Sequence, residues 1–368
     1  MIGLKDWQPD PDVRREHILR TMLYGAAITS LSADIARRSL YQTKNATGVD
    51  VVDATIEGRI VAFDDPAGNV PFVRTEHTLD PSGARCVICR APASLVRDRR
   101  EHFAYAFTHN TYPTKEMAEM KFDVIVGNPP YQIGMDDGKG NRTANITPLY
   151  NQFVEKAISL DPRYIVMITP SRWFAGGKGL REYRDKMIAD RHIRKLIDNP
   201  KLYDCFPQAE IKGGVSYFLW DRDHDGDCEF STRIDGVIKS TATRDLREGR
   251  GVILRDNFAA GIVHEVSKDP LSKRSLADLV STRDPFGQSI TTNFTGSKDA
   301  PFEDSIPLVF IDKIGYIRRD QLERNLDWVD RWKVLIPKAG DGHGRVPAFV
   351  LGEPVALAPG SACTQSYL

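Results

Sequence analysis

The stretch Phe122–Tyr131, FDVIVGNPPY, decides the fold of this chain. Its first five residues are mostly β-branched or aromatic, which is typical of a buried strand in a parallel sheet. Gly127 ends the strand, and the turn Asn128–Tyr131 follows at its carboxyl end, where open α/β sheets bind their ligands. Two consecutive prolines continue neither a central strand nor a helix, so we expect a stiff turn there.

The groups of this turn suit a planar exocyclic amine such as that of a purine base. The lone pair of that amine is delocalised into the ring, which makes the nitrogen a poor nucleophile. The side-chain oxygen of Asn128 and the carbonyl oxygen of Pro129 can both accept hydrogen bonds from it, favouring the tetrahedral nitrogen of the transition state. Pro130 stiffens the backbone, and the ring of Tyr131 can stack on the base. The alternative is a loop whose prolines only stop the strand.

The segment resembles motif IV of the amino-methyltransferases that use S-adenosylmethionine, in its Asn-Pro-Pro-Tyr form. The chain also resembles the N6-adenine DNA methylases of restriction-modification systems in the stretches Tyr24–Thr29, Ala36–Tyr41, Pro170–Gly179 and Gly213–Arg222. The resemblance implies a Rossmann-like α/β methyltransferase sheet, with S-adenosylmethionine as methyl donor and double-stranded DNA as substrate. It also implies a restriction endonuclease, either fused to the chain or separate from it.

Residues outside the turn receive roles from the same resemblance. A Phe-Pro in the family supplies the second aromatic wall of the base pocket, and it corresponds to Phe206 here. Phe206 and Tyr131 are then expected to hold a flipped adenine face to face between their rings. The alternative for Phe206 is a residue of the hydrophobic core. Asn110 is expected near the adenine ring of the cofactor, and Asn128 is expected to contact the cofactor as well.

Two departures from the family pattern concern the cofactor. The enzymes of this family have a Gly-rich loop between their first strand and first helix, yet no Gly-x-Gly precedes Gly127. Their next strand often ends in an acid that binds the ribose, whereas Ala26–Ser30 contains none. We therefore expect a catalytic sheet that is incomplete at its N-terminus, as in a fragment, a split gene or a gene with a misplaced start.

A pair of cysteines, Cys86 and Cys89, lies in the Cys-x-x-Cys spacing, with His77, His102 and His109 nearby. Thiolate and imidazole are the ligands that structural zinc prefers. One interpretation is a zinc knuckle that uses both cysteines with two of these three histidines, of which His77 and His102 are favoured. The other is two reduced cysteines in a turn. The chain has five cysteines in all, too few for a disulfide scaffold of this size.

Length and composition allow two domains in a chain of 368 residues, of which 27% are charged and 41% hydrophobic. We expect a catalytic domain over residues 1–227, with an insertion at about 45–100. A target-recognition domain is expected over 228–368, itself incomplete, with candidate DNA contacts at Trp328–Trp332 and Lys333–His343. Because the sequence contains neither a long apolar run nor a signal peptide, we expect a cytoplasmic protein without a membrane partner.

Hydrophobic periodicity and turn residues predict the secondary structure of the first domain. Strands are predicted at Met22–Ile28, His102–Thr108, Tyr164–Ile168, Ile193–Asp198 and Gly213–Trp220, a β-hairpin within Asp50–Val73, and helices at Leu31–Tyr41, Leu149–Leu160 and Gly179–Asp190. Ser30 or Ser32 is the expected N-cap of the first of these helices. The most basic segment, residues 172–195, either meets phosphates or forms a solvated helix face, because acidic residues are interleaved with its basic ones.

The sequence thus predicts a site-specific adenine-N6 DNA methyltransferase, the modification component of a restriction-modification system. It would flip the target adenine and transfer a methyl group to it from S-adenosylmethionine. A second hypothesis keeps the chemistry but places it on RNA guanine N2 or on a protein glutamine amide. A third hypothesis is a non-catalytic DNA-binding fragment or subunit that another polypeptide completes.

Overall fold

The computed structural model of the chain describes residues 2–27, 29–43, 45–47, 63–70, 76–91, 93, 105–111, 119–133, 147–177, 179–209, 211–249, 251–268, 280–282, 284–310, 313–335 and 355–364. Its fold is mixed α/β, and it divides into two units, residues 1–264 and 265–368. Half of the predicted insertion at 45–100, including most of its β-hairpin, lies outside the described residues. Among the described helices, none is long and apolar enough to cross a membrane.

A six-stranded sheet forms the centre of the first unit, with the strand order β1-β4-β6-β5-β7-β8. These strands are β1 (Val124–Gly127), β4 (Tyr164–Pro170), β5 (Ile193–Asn199), β6 (Val215–Asp221), β7 (Cys228–Ile234) and β8 (Val237–Arg244). The short strands β2 (Gln132–Ile133) and β3 (Thr147–Pro148) pair with each other. β1 runs parallel to β4, whereas β6 is antiparallel to both of its neighbours, β4 and β5. The predicted antiparallel strand at 213–220 is therefore confirmed.

Seven α-helices are described. They are α1 (Ile2–Trp7), α2 (Pro11–His17), α3 (Ser30–Tyr41), α4 (Tyr105–His109), α5 (Tyr150–Ser159), α6 (Arg181–Ala189) and α7 (Asn257–Ser267). A π-helical turn at Ile18–Met22 and 3₁₀ turns at Ser171–Phe174 and Leu246–Gly249 complete the first unit. Buried apolar residues of α5, α6 and the sheet form one core, which includes Trp173 and Phe218. The predicted helices at 31–41, 149–160 and 179–190 are confirmed, as are the strands at 164–168 and 193–198.

The strand predicted at Met22–Ile28 is wrong for the residues that the structure describes. A π-helical turn continues α2 as far as Met22, and residues 23–27 form neither a strand nor a helix. Their hydrogen bonds go to a turn instead of a sheet, since Gly25 N–H donates to the carbonyl of Asn69. The N-cap of α3 is Thr29, whose hydroxyl accepts from Ser32 N–H, and neither predicted serine has this role.

A helix, α4, occupies residues 105–109, where the sequence predicts the strand His102–Thr108; residues 102–104 lie outside the described part of the chain. Alternation of apolar and polar residues over so short a stretch is compatible with either element. Packing decides between them, because Phe107 of α4 stacks on Phe153 of α5, with ring centroids 5.9 Å apart and planes 21° apart. This contact packs α4 against α5 and favours the helix over the predicted strand.

The strand β1 is less buried than the sequence predicts. It lies at the edge of the sheet, and its residues alternate between half-buried and exposed. Val124 is 51% exposed and Val126 is 74% exposed, whereas Ile125 packs against the core. Two β-branched residues on one face of this edge strand therefore have little cover in the described structure.

The division between the two units falls after residue 264, not after residue 227. β7 and β8 belong to the six-stranded sheet, because β7 pairs in parallel with β5 and β8 pairs with β7. Residues 222–227, at the predicted boundary, only connect β6 to β7 within that sheet. Residues 228–264 are thus part of the first unit.

The described part of the second unit contains five short strands. They are β9 (Ser305–Val309), β10 (Ile314–Arg318), β11 (Lys333–Leu335), β12 (Val355–Leu357) and β13 (Ala362–Cys363). A three-stranded sheet has the order β10-β9-β13, and β11 pairs with β12. Two 3₁₀ turns, Arg319–Gln321 and Leu326–Trp328, lie between β10 and β11. Buried aromatic and aliphatic residues, among them Phe286 and Leu308, form a core within this unit.

Candidate active site

The Asn-Pro-Pro-Tyr turn lies at the carboxyl edge of the sheet. β1 pairs with β4 from Val124–Tyr164 to Gly127–Met167, so the residues after Gly127 lie beside the last residues of β4. Asn128 is exposed, whereas Pro129 is buried. Among the described residues, none forms a hydrogen bond with the Asn128 side chain or donates one to the Pro129 carbonyl. Both acceptors predicted for an incoming amine are therefore available.

Strand directions explain why Phe206 is near this turn. Val215, the first residue of β6, pairs with Pro170 at the end of β4 and with Asn199 at the end of β5. The loop 200–214 therefore leaves and re-enters the sheet at the edge where Asn128–Tyr131 lies. Gly214 closes this loop with φ +77°, and a Cβ at this position would lie 2.1 Å from the Asn199 carbonyl oxygen. Only glycine fits there.

The two predicted pocket aromatics are in contact. The ring centroids of Tyr131 and Phe206 are 6.2 Å apart, and the planes are inclined by 73°, an edge-to-face arrangement. Both rings are half-buried. The structure thus brings together the two residues that the sequence predicts as pocket walls, but their orientation differs from the expected face-to-face pair. An edge-to-face contact leaves no gap for a base between the two faces.

Tyr131 is held by its backbone, and its hydroxyl is left without a partner. Its carbonyl accepts a hydrogen bond of 3.3 Å from the N–H of Leu149, just before α5. The buried hydroxyl has no hydrogen-bond partner among the described residues. Burial, and to a lesser extent the neighbouring Cys205, raises the pKa of Tyr131. Tyr131 is therefore neutral, and its buried hydroxyl has no partner among the described residues.

A buried charge network fixes the strand ends next to the pocket. The carboxylate of Asp198, near the end of β5, is fully buried. It accepts a 2.7 Å hydrogen bond from the hydroxyl of Ser171 and two bonds of 2.7 Å from the guanidinium of Arg255. The bidentate pair compensates for burying the charge. No local pattern pointed to Arg255, because it is 57 residues from Asp198 along the chain.

Asn110, the residue predicted to lie near the cofactor, follows α4 and is exposed. Its backbone is in the left-handed region, with φ 57°. The side-chain oxygen of Asn110 accepts a hydrogen bond from the ammonium group of Lys156 on α5. Burial lowers the pKa of that ammonium group. The described contact of Asn110 is thus with a lysine, and its predicted role at the cofactor stays a prediction.

Most basic side chains of segment 172–195 have acidic partners. Lys186 pairs with Glu155 and Glu182, Arg191 with Asp225, Arg194 with Asp221 and Lys195 with Glu229. Such pairs favour the solvated helix face over a set of phosphate contacts. Arg172 differs, because it is exposed in the turn after β4 and forms none of the described ion pairs.

The cysteine pair gathers two histidines around it. The ligand atoms of His77, Cys86, Cys89 and His109 all lie within 4.8 Å of one another. His102, which the sequence favoured as a ligand, lies outside the described residues. Burial raises the pKa of the Cys89 thiol to about 12, and burial together with His77 lowers the pKa of His109.

Comparison with known proteins places these features in a family. The family model for the Eco57I restriction-modification methylase matches residues 21–206. An uncharacterised adenine-specific methylase of Mycoplasma pneumoniae is 32% identical over 255 residues, covering 65% of this chain and 60% of that protein. The chain thus spans about three fifths of the length of this relative.

Solved restriction-modification enzymes are also similar. A nuclease-deletion mutant of the type ISP enzyme LlaGI in complex with a DNA substrate mimic matches 98% of this chain and 36% of its own, at 12% identity and a TM-score of 0.40. The DrdV–DNA complex matches 90% of this chain and 30% of its own, at 14% identity and a TM-score of 0.37.

Proposed function

Because the chain belongs to the Eco57I restriction-modification methylase family, we propose that it acts as an adenine-N6 DNA methyltransferase, the modification component of a restriction-modification system. The observation that carries this proposal is the Asn-Pro-Pro-Tyr turn at the carboxyl edge of the sheet, with the Tyr131 ring against Phe206. Family membership suggests adenine methylation, and the turn supplies the groups that the chemistry needs. A fused or separate endonuclease is part of the same proposal.

The target adenine rotates out of the duplex to reach the edge of the sheet, at a cost of a few kcal/mol. Its exocyclic amine donates one hydrogen bond to the side-chain oxygen of Asn128 and one to the carbonyl of Pro129. These two acceptors stabilise the amine as its nitrogen becomes tetrahedral. Pro129 is buried and is followed by Pro130, so the carbonyl is held in a fixed direction.

Aromatic stacking holds the base during this step. Tyr131 and Phe206 provide two rings at the pocket, and a planar base stacks on an aromatic face with about 1–3 kcal/mol. Since the rings meet edge to face, one of them turns before a base is held between two faces. Phe206 is the ring that we expect to turn, because its carbonyl is bonded only within its own loop, to Ala209 N–H, whereas the Tyr131 carbonyl is bonded to Leu149 beside α5.

S-adenosylmethionine is the usual methyl donor of a methyltransferase family and supplies an electrophilic methyl group. The described residues offer groups that suit the base, but they do not offer a matching set of groups for this cofactor. Gly-x-Gly does not occur before Gly127, and the side-chain oxygen of Asn110 is bonded to Lys156. We therefore assign residues of this chain to the base alone. The cofactor contacts of Asn110 and Asn128 remain predictions.

The second unit, residues 265–368, is the proposed target-recognition domain. This unit follows the catalytic unit along the chain and has a core of its own, and both observations support the assignment. The first unit then comprises the Rossmann-like catalytic part, extended to residue 264 by β7 and β8. Trp332 is 71% exposed, which suits a contact with DNA, whereas Lys333 is buried.

Transfer of a radioactive methyl group tests this proposal. The full chain is incubated with labelled S-adenosylmethionine and duplex DNA, RNA or protein, and the labelled product is digested and identified. We expect N6-methyladenine from DNA, and a rate lower by about 100-fold or more from an Asn128→Ala control. Label in guanine of RNA or in glutamine of protein would replace DNA as the substrate. Labelled cytosine, or transfer that is undiminished in Asn128→Ala, would contradict the proposal.

A second candidate function is a subunit that another polypeptide completes. The specific observation in its favour is the edge strand β1, on which Val124 and Val126 are exposed. A chain of this kind binds duplex DNA but transfers no methyl group until its partner is added. DNA binding without methyl transfer would favour this candidate, and N6-methyladenine formed by the purified chain alone would exclude it.

A further inference from the structure

Four potential metal ligands come from two separate segments of the first unit. His77, Cys86 and Cys89 lie within residues 76–91, and His109 ends the helix α4. The Sγ atom of Cys89 is 3.4 Å from Nδ1 of His77, and Sγ of Cys86 is 3.7 Å from Nε2 of His109. The two imidazole rings meet edge to face, with planes inclined by 85° and centroids 5.0 Å apart. Each cysteine thus has a histidine of its own.

These separations match a tetrahedral zinc centre. Zinc binds thiolate sulfur at about 2.3 Å and imidazole nitrogen at about 2.0–2.1 Å, so a tetrahedron places such sulfur and nitrogen atoms about 3.5 Å apart. The two observed distances of 3.4 and 3.7 Å lie on either side of that value. Both cysteines are 0% exposed and both histidines are half-buried. The four donors therefore form a shielded cluster in which all ligand atoms lie within 4.8 Å of one another.

The backbone around the cysteines is shaped for a thiolate. Cys86 N–H donates to the carbonyl of Ala91, and Arg90 N–H donates to the carbonyl of Cys86, which closes a tight turn. Arg90 has φ 59°, the left-handed conformation that such a turn requires. The N–H of Ile88 points at Sγ of Cys86 at 3.4 Å. A donor aimed at sulfur stabilises the negative charge of a metal-bound thiolate.

We propose that His77, Cys86, Cys89 and His109 bind one structural zinc ion. Four protein ligands leave no coordination position for water or substrate, which is the arrangement of a structural site and not of a catalytic one. The ligand set differs from the one that the sequence favoured, because His109 takes the place of His102. Thiolate with imidazole at tetrahedral spacing selects zinc over magnesium or calcium, which prefer oxygen.

The ion would fasten segment 76–91 to the helices beside the candidate active site. Cys86 and Cys89 pack against Leu149 and Phe153 at the start of α5. Leu149 in turn donates its N–H to the carbonyl of Tyr131. The residues packed around the metal site are thus linked to the Asn128–Tyr131 turn by one hydrogen bond, from Leu149 N–H to the Tyr131 carbonyl. Zinc is expected to steady Tyr131 without taking part in methyl transfer.

Metal analysis of the full chain, purified without a chelator, is the first test. We expect about one zinc per chain by mass spectrometry of the metal. Chelator-treated protein titrated with Co²⁺ should develop the visible bands of tetrahedral thiolate coordination, saturating at one equivalent. The spectrum needs no variant, so it does not depend on how substitutions fold. A protein that contains no zinc and gives no thiolate–cobalt bands overturns the proposal.

Variants then identify the ligands. Cys86→Ala and His109→Ala should lose the metal, whereas Cys228→Ala and His102→Ala should keep it. Cys228 is a matched control, because it is also buried but lies in β7. If His102→Ala loses zinc and His109→Ala keeps it, the ligand set is wrong. Hydrogen exchange of the Leu149 amide, faster in metal-free protein, would report the expected link to Tyr131; an unchanged rate would contradict that link.

Discussion

The rings of Tyr131 and Phe206 meet edge to face, with centroids 6.2 Å apart and planes inclined by 73°. The two residues are 75 positions apart along the chain, and the antiparallel strand β6 brings their loops to one edge of the sheet. Phe206 is half-buried and Tyr131 carries an unpaired buried hydroxyl. This contact is the structural feature on which the proposed base pocket depends.

Phe206→Ala should lower methyl transfer by about 10- to 100-fold, because stacking of a base on an aromatic ring contributes about 1–3 kcal/mol. Phe206→Trp should retain much of the activity, since the aromatic face is preserved. Thermal unfolding of both variants provides the control. A core phenylalanine would cost about 3–5 kcal/mol of stability on truncation, so a large fall in melting temperature for both variants would assign Phe206 to the core instead.

Asn128→Ala removes one of two acceptors for the amine and leaves both prolines in place. We expect kcat to fall by about 100-fold or more, the scale of losing one preorganised hydrogen bond to a developing charge. DNA affinity should hardly change, because contacts with the phosphates supply most of it. Asn110→Ala is the matched variant, and a raised KM for S-adenosylmethionine with kcat retained would support its predicted cofactor role. Full activity of Asn128→Ala would remove Asn128 from the mechanism.

The hydroxyl of Tyr131 links stability to pH. Burial raises the pKa of Tyr131 above its usual value of about 10, so the folded chain keeps this proton where the unfolded chain has lost it. The unfolded state then binds fewer protons, and stability falls as pH rises above about 10. Urea unfolding at about pH 8 and pH 11 should show a smaller fall for Tyr131→Phe than for the wild type.

The exposed tyrosine Tyr203 provides the control for that experiment. Tyr203→Phe should leave the fall between the two pH values as large as in the wild type. Tyr131→Phe should also keep most of its methyl transfer, because the stacking face remains and the lost hydroxyl has no partner among the described residues. An equal fall in stability for Tyr131→Phe and the wild type would show that this hydroxyl is not the group responsible.

How far the sequence predicted the fold depended on how local the deciding contacts are. The strands β4, β5 and β6 and the helices α5 and α6 were predicted because periodicity and turn residues set them locally. Residues 105–108 were wrongly predicted as a strand. They are helical because Phe107 stacks on Phe153, and the local sequence pattern does not show this contact with a distant segment. The structure divides the chain after residue 264 and not after 227, because β7 pairs in parallel with β5. The sequence of the turn before β7 does not reveal that pairing.

The candidate site shows the same limit. The Asn128–Tyr131 turn and the Cys86–Cys89 pair have short spacings that the sequence displays directly. The sequence named His109 among three nearby histidines, but only the folded chain shows that it joins the cysteines; Arg255, 57 residues from Asp198, had no local signal. Resemblance to a family placed Phe206 next to Tyr131, but the orientation of the two rings depends on the loop 200–214, which no pattern in the sequence specifies.

Lys333 is expected to stabilise the second unit and not to bind DNA. It is 2% exposed, and its ammonium group donates to the carbonyls of Trp328, Val329 and Arg331 at 2.8, 3.2 and 2.7 Å. The carbonyls of Trp328 and Val329 also accept from the N–H groups of Arg331 and Gly360, whereas the Arg331 carbonyl would lose its described donor, at a cost of about 1–3 kcal/mol. Lys333→Ala should therefore destabilise the chain by about 2 kcal/mol or more in urea unfolding. Trp332→Ala, at an exposed neighbour, should leave stability within about 0.5 kcal/mol.

Arg172 is the basic residue for which we expect a phosphate contact. It is exposed in the turn after β4, next to the strand that carries the Asn128–Tyr131 turn, and the described ion pairs of segment 172–195 do not include it. Arg172→Ala should weaken DNA binding and lower the slope of log affinity against log salt by about 1, the effect of one lost phosphate contact.

Lys186→Ala is the matched control, because Lys186 is also exposed and basic but pairs with Glu155 and Glu182. Fluorescence anisotropy across a salt series measures both variants on the same duplex. Equal slopes for Arg172→Ala and the wild type would show that Arg172 meets no phosphate, and a reduced slope for Lys186→Ala would extend the contact to the helix face of α6.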